Sequence, residues 1–407
     1  MIYIFSATNE LEIANGLHSY TPAKHLRDFE RDLSFLPYYF GEEGDILLME
    51  QKPSDKFIES LKVLHLPNIR IHSMQETQQM LASKTINSKQ KLAPWGWSPR
   101  MHHKLDSLKR HISLHPFEQK WETSYKEVYS RVFARDILKT LLSNSTQKKI
   151  YIDKNDIPMV ITKRDEVHQH FQQHGNIVVK TPLSSSGRGM IFLHDDKIHD
   201  TYNQWIDGAL KTHGYLMVEK KVNKLYDLSL HFEVKNNQID YLGQASFFTL
   251  ENGQYEGNNL QPFPEEMEDQ QKEFVQNHIK QCVEDLLSAF YIHNLTNIYQ
   301  GIIGVDLLLL KDAKGNMRLQ PCLEMNMRYN MGTVTLALRK RLPNNVNGFW
   351  KVERLGRQDP MEFDRIMKQK YPLEIDNEGK IRKGYKALIE PTPSTLFACY
   401  MICSPIK

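Results

Sequence analysis

Two short runs decide how this chain reads: Gly304-Val305-Asp306-Leu307-Leu308-Leu309-Leu310 and Leu323-Glu324-Met325-Asn326-Met327-Arg328. Residues 302–310 and 317–325 have strand character, and Asp312-Ala313-Lys314-Gly315 between them is a turn-type sequence. Asp306 interrupts an otherwise apolar strand, and a buried, unpaired carboxylate is costly, so it calls for a cation. Period two puts Glu324, Asn326 and Arg328 on one face. The hairpin register brings Asp306 roughly opposite residues 321–324, on strands about 4.8 Å apart. Two carboxylates and an amide oxygen form a hard-oxygen site suited to Mg²⁺, with Mn²⁺ as a substitute, bridging nucleotide phosphates. A salt bridge of Arg328 with Glu324 on a solvated face is the alternative, and it leaves Asp306 unexplained.

Upstream lies Val178-Val179-Lys180-Thr181-Pro182-Leu183, then Ser184, Ser185, Ser186, Gly187, Arg188 and Gly189, then Met190-Ile191-Phe192-Leu193. A strand ends in Lys180, a Ser/Gly loop follows, and a second strand begins at once. Small residues let backbone N–H groups approach phosphate oxygens, and hydroxyls add donors. Lys180 and Arg188 add positive charge, so the stretch reads as a flexible hairpin flap over phosphates. A P-loop would need a following helix and G-x4-G-K-[ST], and neither is present. A third stretch, 215–231, runs from an apolar strand ending in Glu219 through Lys220 and Val222 to a strand opening near Asp227. Glu219 and the backbone after it suit adenine, and Asp227 suits ribose hydroxyls.

Together the three stretches resemble the ATP-grasp superfamily, the fold of biotin carboxylase and D-alanine–D-alanine ligase, over about residues 125–340. The order of parts is similar to D-alanine–D-alanine ligase, and the metal strand 324–328 is similar to that of biotin carboxylase. The resemblance implies ATP as bound nucleotide and Mg²⁺ at Asp306, Glu324 and Asn326. It implies that Lys180 holds the α/β-phosphates and that the 184–189 loop covers the β/γ-phosphates. Glu219, Lys220 and Val222 would meet adenine, Asp227 the ribose, and Arg328 an acyl-phosphate. Lys180, Arg188 and Arg328 would act on the transferring phosphoryl group. The family carries an earlier phosphate lysine near the start of the helix before the flap. Here Ser130-Arg131 stands there, and Arg131 either replaces that lysine or merely belongs to the helix face.

The implied fold is α/β, with α+β character in the core: an ATP-grasp fold behind a small α/β parallel-sheet domain. The expected divisions are an N-terminal domain over 1–115, a small lobe with the flap over 116–213, a large lobe with the metal site over 214–345, and a C-terminal extension over 346–407 packing on the core. Strand-like and helix-like pieces alternate over the first hundred residues, with strands at 1–6, 45–49 and 69–72 and a helix at 56–64. Pro94-Trp95-Gly96-Trp97-Ser98-Pro99 reads as a loop at a domain edge, its tryptophans plugging a seam or facing a ligand. Helices are expected at 125–142, 165–174, 264–292 and 360–370, and strands at 177–180, 190–193, 215–219, 227–234, 238–250, 383–390 and 396–403. Residues 251–259 read as a mobile loop near the flap or as a surface hairpin.

Composition bounds the rest. The 407 residues carry 52 Lys plus Arg against 49 Asp plus Glu, a formal charge of +3. That balance gives no electrostatic case for nucleic acid or an anionic membrane. The longest apolar run, 301–310, is too short to span a bilayer. The opening Met-Ile-Tyr-Ile-Phe reads as a first strand, not a signal peptide. Four irregularly spaced cysteines read as reduced, buried thiols of a cytoplasmic protein. The resemblance implies an ATP-dependent ligase: a carboxylate becomes an acyl-phosphate and is joined to an amine or another nucleophile. The partners are then small-molecule or peptide carboxylates and amines. A silent or regulatory ATP-binding protein and a phosphotransferase are the alternatives. The latter is disfavoured because H-R-D and D-F-G are missing from the chain. The oligomeric state is not legible.

Overall fold

A computed structural model describes residues 1–86, 89–184, 189–194, 198–250 and 253–406. Its first sheet is parallel. Strands β1 (Ile2–Ile4), β2 (Ile46–Leu48), β3 (Arg70–His72) and β4 (Leu92–Pro94) pair in the order β3-β2-β1-β4. Parallel neighbours need crossover connections, and amphipathic helices such as Asp55–Lys62 and Met74–Ala82 supply them. Ser54 and Ser73 cap those two helices, the second through a capping box with Glu76. Side chains alternate along β1: Ile2 and Ile4 enter one core, Tyr3 and Phe5 another. Both cores continue into the rest of the chain, so this sheet is buried on both faces.

Strand β4 overlaps the segment expected as a loop. Pro94 is tolerated because β4 is an edge strand, where a missing N–H breaks no inner ladder. Trp95 and Trp97 are only 3 % and 5 % exposed. Trp95 packs on Phe5 at 4.6 Å, and its carbonyl accepts the Tyr329 N–H at 2.7 Å. Trp95 thus fills the seam between the first sheet and the segment after residue 326, whereas Trp97 packs on His102 at 4.6 Å.

A second, antiparallel sheet holds β5 (Met159–Ile161), β6 (Ile177–Lys180), β7 (Met190–Leu193) and β8 (Leu216–Lys220), in the order β5-β8-β6-β7. Helices Arg164–His174 and Asp200–His213 cover it, and Ile161, Val167, Phe171 and Ile206 give it a core of its own. The second of these helices was not expected. The helix expected over 125–142 is broken in two, Tyr125–Val128 and Arg131–Asn144. Ser130 between them is extended, and its hydroxyl accepts the Phe133 N–H at 3.3 Å as an N-cap. The break makes Arg131 the first residue of the long helix.

The third sheet has nine antiparallel strands: β9 (Asn223–Lys235), β10 (Gln238–Thr249), β11 (Tyr255–Asn259), β12 (Gly301–Lys311), β13 (Met317–Asn326), β14 (Val346–Arg354), β15 (Glu374–Ile375), β16 (Ile381–Ala387) and β17 (Phe397–Pro405). Their order is β13-β12-β9-β10-β11-β14-β17-β16-β15. Leu228, Leu230, Phe232, Val305 and Leu307 share a core with Val283, Leu286 and Phe290 of the helix Asp269–Ile292. Residues 255–259 form a paired strand where a mobile loop was one reading, because β11 fills the place between β10 and β14. The last residues join this same sheet through β14, β16 and β17. Among the described residues no helix is long and apolar enough to cross a membrane. All four cysteines are buried free thiols.

Trp350 of β14 is fully buried, and its indole N–H donates to Thr335 Oγ1 at 2.8 Å. Trp350→Ala should cost about 3–5 kcal/mol in urea unfolding. A loss below about 1 kcal/mol would mean that this strand is not anchored as described.

Candidate functional site

The site begins as a pattern on one sheet face. Across the three strands, Ser229 stands opposite Asp306, and Asp306 opposite Glu324. In the next row His231, Gly304 and Asn326 are aligned. Directly paired residues share a face, and so do residues two apart. Asp227, Ser229, Asp306, Glu324 and Asn326 therefore lie on one surface, away from the helix 269–292. The register skips between Asp306 and Leu308, where residues 321–323 of β13 answer Leu307 of β12. Pro321 falls inside this bulge, where it need not donate to the ladder.

Asp306 accepts a hydrogen bond from Asn326 Nδ2 at 3.0 Å. Desolvation, then the nearby Glu324 carboxylate, pushes its carboxyl up to about 8. Glu324 is held by Arg131, whose Nη2 donates to both carboxylate oxygens at 2.9 and 3.0 Å. Arg328 does not pair with Glu324. Its Nε donates to Glu10, and its Nη2 to Asn326 Oδ1 at 3.0 Å.

The segment after Lys180 of the small sheet is joined to this face through Arg131, which bonds both Glu324 and the Thr181 carbonyl. Lys180 ends β6, is buried, and forms an ion pair with Glu219 of the adjoining strand β8. Residues after Lys220, including Val222, carry the chain from β8 to β9 and so from one sheet to the other. Asp227 lies just beyond this crossing, paired with Lys224 at 2.6 Å and bonded by the Thr249 hydroxyl at 3.2 Å. Ser184 Oγ accepts from Arg131 Nη1 at 2.9 Å. Gly189 has φ +72°, and a Cβ there would lie 2.4 Å from Thr181 Oγ1, so glycine is required at the far end of the loop. Ser185, Ser186, Gly187 and Arg188 lie outside the described residues.

Two further polar residues of β9 and β10, His231 and Gln244, are engaged in contacts of their own. His231 is buried, with Nε2 2.9 Å from Ser229 Oγ, and a Cβ on Gly332 would touch its ring. Burial, then the Arg339 charge, lowers it to about 3. Gln244 donates to the Pro262 carbonyl at 3.3 Å. Glu10 was missed. It follows the end of β1 by six residues, at the carboxyl end of a parallel strand where α/β sheets place ligands, and that position was the available signal.

Among the described residues no three His, Cys, Asp or Glu side chains cluster as a metal cage. The residues present nevertheless fit a hard cation. Asp306 carries a half-buried carboxyl with no cationic partner among the described residues, Glu324 is its cross-strand partner, and an amide stands beside them. Asn326 turns its nitrogen to Asp306 and its oxygen to Arg328, so oxygen ligation requires its amide to rotate. Phosphate and water oxygens would complete such a shell.

No protein-family profile matches the chain, and no curated protein matches it in sequence. Solved structures match in shape. A biotin carboxylase β,γ-ATP complex from Campylobacter jejuni has a TM-score of 0.50 at 11 % identity, covering 100 % of this chain and 87 % of that one. This chain has the ATP-grasp fold. Also similar is N5-carboxyaminoimidazole synthetase from Staphylococcus aureus complexed with ADP, at TM-score 0.48 and 12 % identity, covering 100 % and 93 % of the two chains. D-alanyl-alanine synthetase A from Vibrio cholerae O1 biovar eltor shares 15 % identity at TM-score 0.34, over 64 % of this chain and 65 % of that one.

The raised Asp306 carboxyl makes a signed prediction. An unfolded-chain aspartate ionises near pH 4, whereas the folded one keeps its proton to about 8. Between those values the folded state binds more protons, so the group's contribution to stability falls as pH rises. Metal-free Asp306→Asn should melt above wild type by a margin that grows from pH 5 to pH 8. A margin flat with pH would refute the burial argument.

Proposed function

We propose that this protein is an ATP-dependent ligase that activates a carboxylate as an acyl-phosphate and joins it to an amine. The observation that carries this reading is the single sheet face holding Asp227, Asp306, Glu324 and Asn326, joined through Arg131 to the segment that follows Lys180 at the end of β6. ATP would lie between them, adenine at Glu219, Lys220 and Val222 and ribose at Asp227. Lys180 and the loop from Ser184 to Gly189 would hold the phosphates.

The substrate carboxylate attacks the γ-phosphorus, the bond to the bridging oxygen breaks, and ADP leaves. The amine then attacks the acyl carbon, phosphate leaves with its oxygen, and the amine loses a proton. No side-chain nucleophile is needed, so positioning and charge stabilisation carry the rate. Mg²⁺ bound at Asp306, Glu324 and Asn326 would neutralise charge on the transferring phosphoryl group. Arg328, with Arg188, would stabilise the acyl-phosphate, and Glu10 orients the Arg328 guanidinium. Because Glu10 belongs to the first domain, the acceptor reaches Arg328 from the strand ends of the parallel sheet.

The test is Mg²⁺-dependent ADP release with pools of amino acids, small peptides and other carboxylates. One pool should yield ADP, and Lys180→Ala and the pair Asp306→Asn with Glu324→Gln should each reduce the rate by at least about 10²-fold. Stabilisation by Mg·ATP without ADP from any pool would favour a binding-only protein. Unchanged Mg·ATP affinity and turnover in the double variant would remove the site assignment.

A further inference from the structure

Arg131 stands in an unusual position. It is buried as the first residue of the helix 131–144. Its guanidinium spans two bodies: Nη2 grips Glu324 on the large sheet, and Nη1 donates to the Thr181 carbonyl at 2.6 Å and to Ser184 Oγ. Its backbone N–H adds a bond to the Pro182 carbonyl at 2.9 Å. Its Nε is buried without a partner. A planar fork of five donors can serve both sides at once, whereas a lysine ammonium is a single point. Both oxygens of Glu324 are thus taken by a cation that also holds the opening residues of the flap loop.

We propose that Arg131 is a metal-displaceable latch. This rests on the nucleotide-site reading above. A divalent ion and the Arg131 fork compete for the same Glu324 oxygens. Metal alone must break the bidentate pair, so it binds weakly. ATP alone meets an Arg131 that is already engaged. When both arrive, the ion takes Glu324, Nη2 turns to a phosphate oxygen, and Nη1 keeps the flap base in place. Metal and nucleotide therefore bind cooperatively through one side chain, and the coupling is reciprocal.

The two partners have opposite signatures. Arg131→Gln removes the competitor, so Mn²⁺ without nucleotide should bind more tightly, by at least about fivefold, while Mn·ATP binds more weakly. Glu324→Gln frees Arg131, so ATP in EDTA should bind more tightly by a similar factor, while Mn²⁺ alone loses affinity. Mn²⁺ is followed by electron paramagnetic resonance and ATP by calorimetry, on full-length protein with a native circular dichroism spectrum. A merely structural Arg131 would weaken every ligand. If wild type binds Mn·ATP and Arg131→Gln leaves Mn²⁺ affinity equal or lower, the latch is wrong and the nucleotide site stands. If Arg131→Gln does not fold, unchanged or weaker metal-free ATP binding in the near-isosteric Glu324→Gln overturns it. Wild type that binds no Mn·ATP overturns the nucleotide site, and the latch with it.

Discussion

Asp306 sits mid-strand between apolar neighbours, and among the described residues it has no ion-pair partner, only the Asn326 amide. A carboxylate in that position would be removed by a single change to a hydrophobic residue if stability were the sole demand. The neighbouring charges are arranged around it. Glu324 is held back by Arg131, Arg328 by Glu10, and Lys180 by Glu219. The cleft is thus neutralised locally in pairs, with one acidic spot left uncompensated. A cation entering there would relieve the desolvation penalty and, on the proposal above, exchange the Arg131 pair beside it.

The architecture permits that rearrangement. The small sheet has its own hydrophobic core, separate from the cores that tie the first sheet to the large one. Its connections to the large sheet run through the β8–β9 crossing and through polar contacts such as the Arg131 fork. Polar contacts exchange partners at lower cost than packed cores. The first domain, by contrast, is fused to the large sheet by packing: Trp95 and Tyr3 lie against Tyr329, at 6.2 and 6.0 Å between ring centroids. Glu10 and Arg328 are therefore fixed relative to β13, while Lys180 belongs to the sheet with its own core.

Much of this was legible in the residues. Strands β6 and β7 and the helix 360–370 fall where periodicity put them, because those runs are short, strongly patterned and bounded by Gly, Pro or Asp. The turn and strand spacing put Asp306 opposite residues 321–324, and the bulge between Asp306 and Leu308 settles the pairing on Glu324. The helix Met331–Arg339 was not read, since Gly332, Thr333, Val334 and Thr335 have weak helical propensity and tertiary packing overrides it. Strand β14 was hidden behind Pro343-Asn344-Asn345, and its Asn347 and Gly348 blur the alternation. The ion pairs were out of reach for a different reason. Arg131 and Glu324 are 193 residues apart and Glu10 and Arg328 318 apart, and no local pattern says which charges meet.

Photoaffinity labelling with 2-azido-ATP and Mg²⁺ addresses the location of the nucleotide without knowledge of the substrate. Covalent label is expected on the peptide spanning residues 216–224, the crossing from β8 to β9, and excess ATP should abolish it. Label confined to another part of the chain, or label that excess ATP does not reduce, would contradict that location.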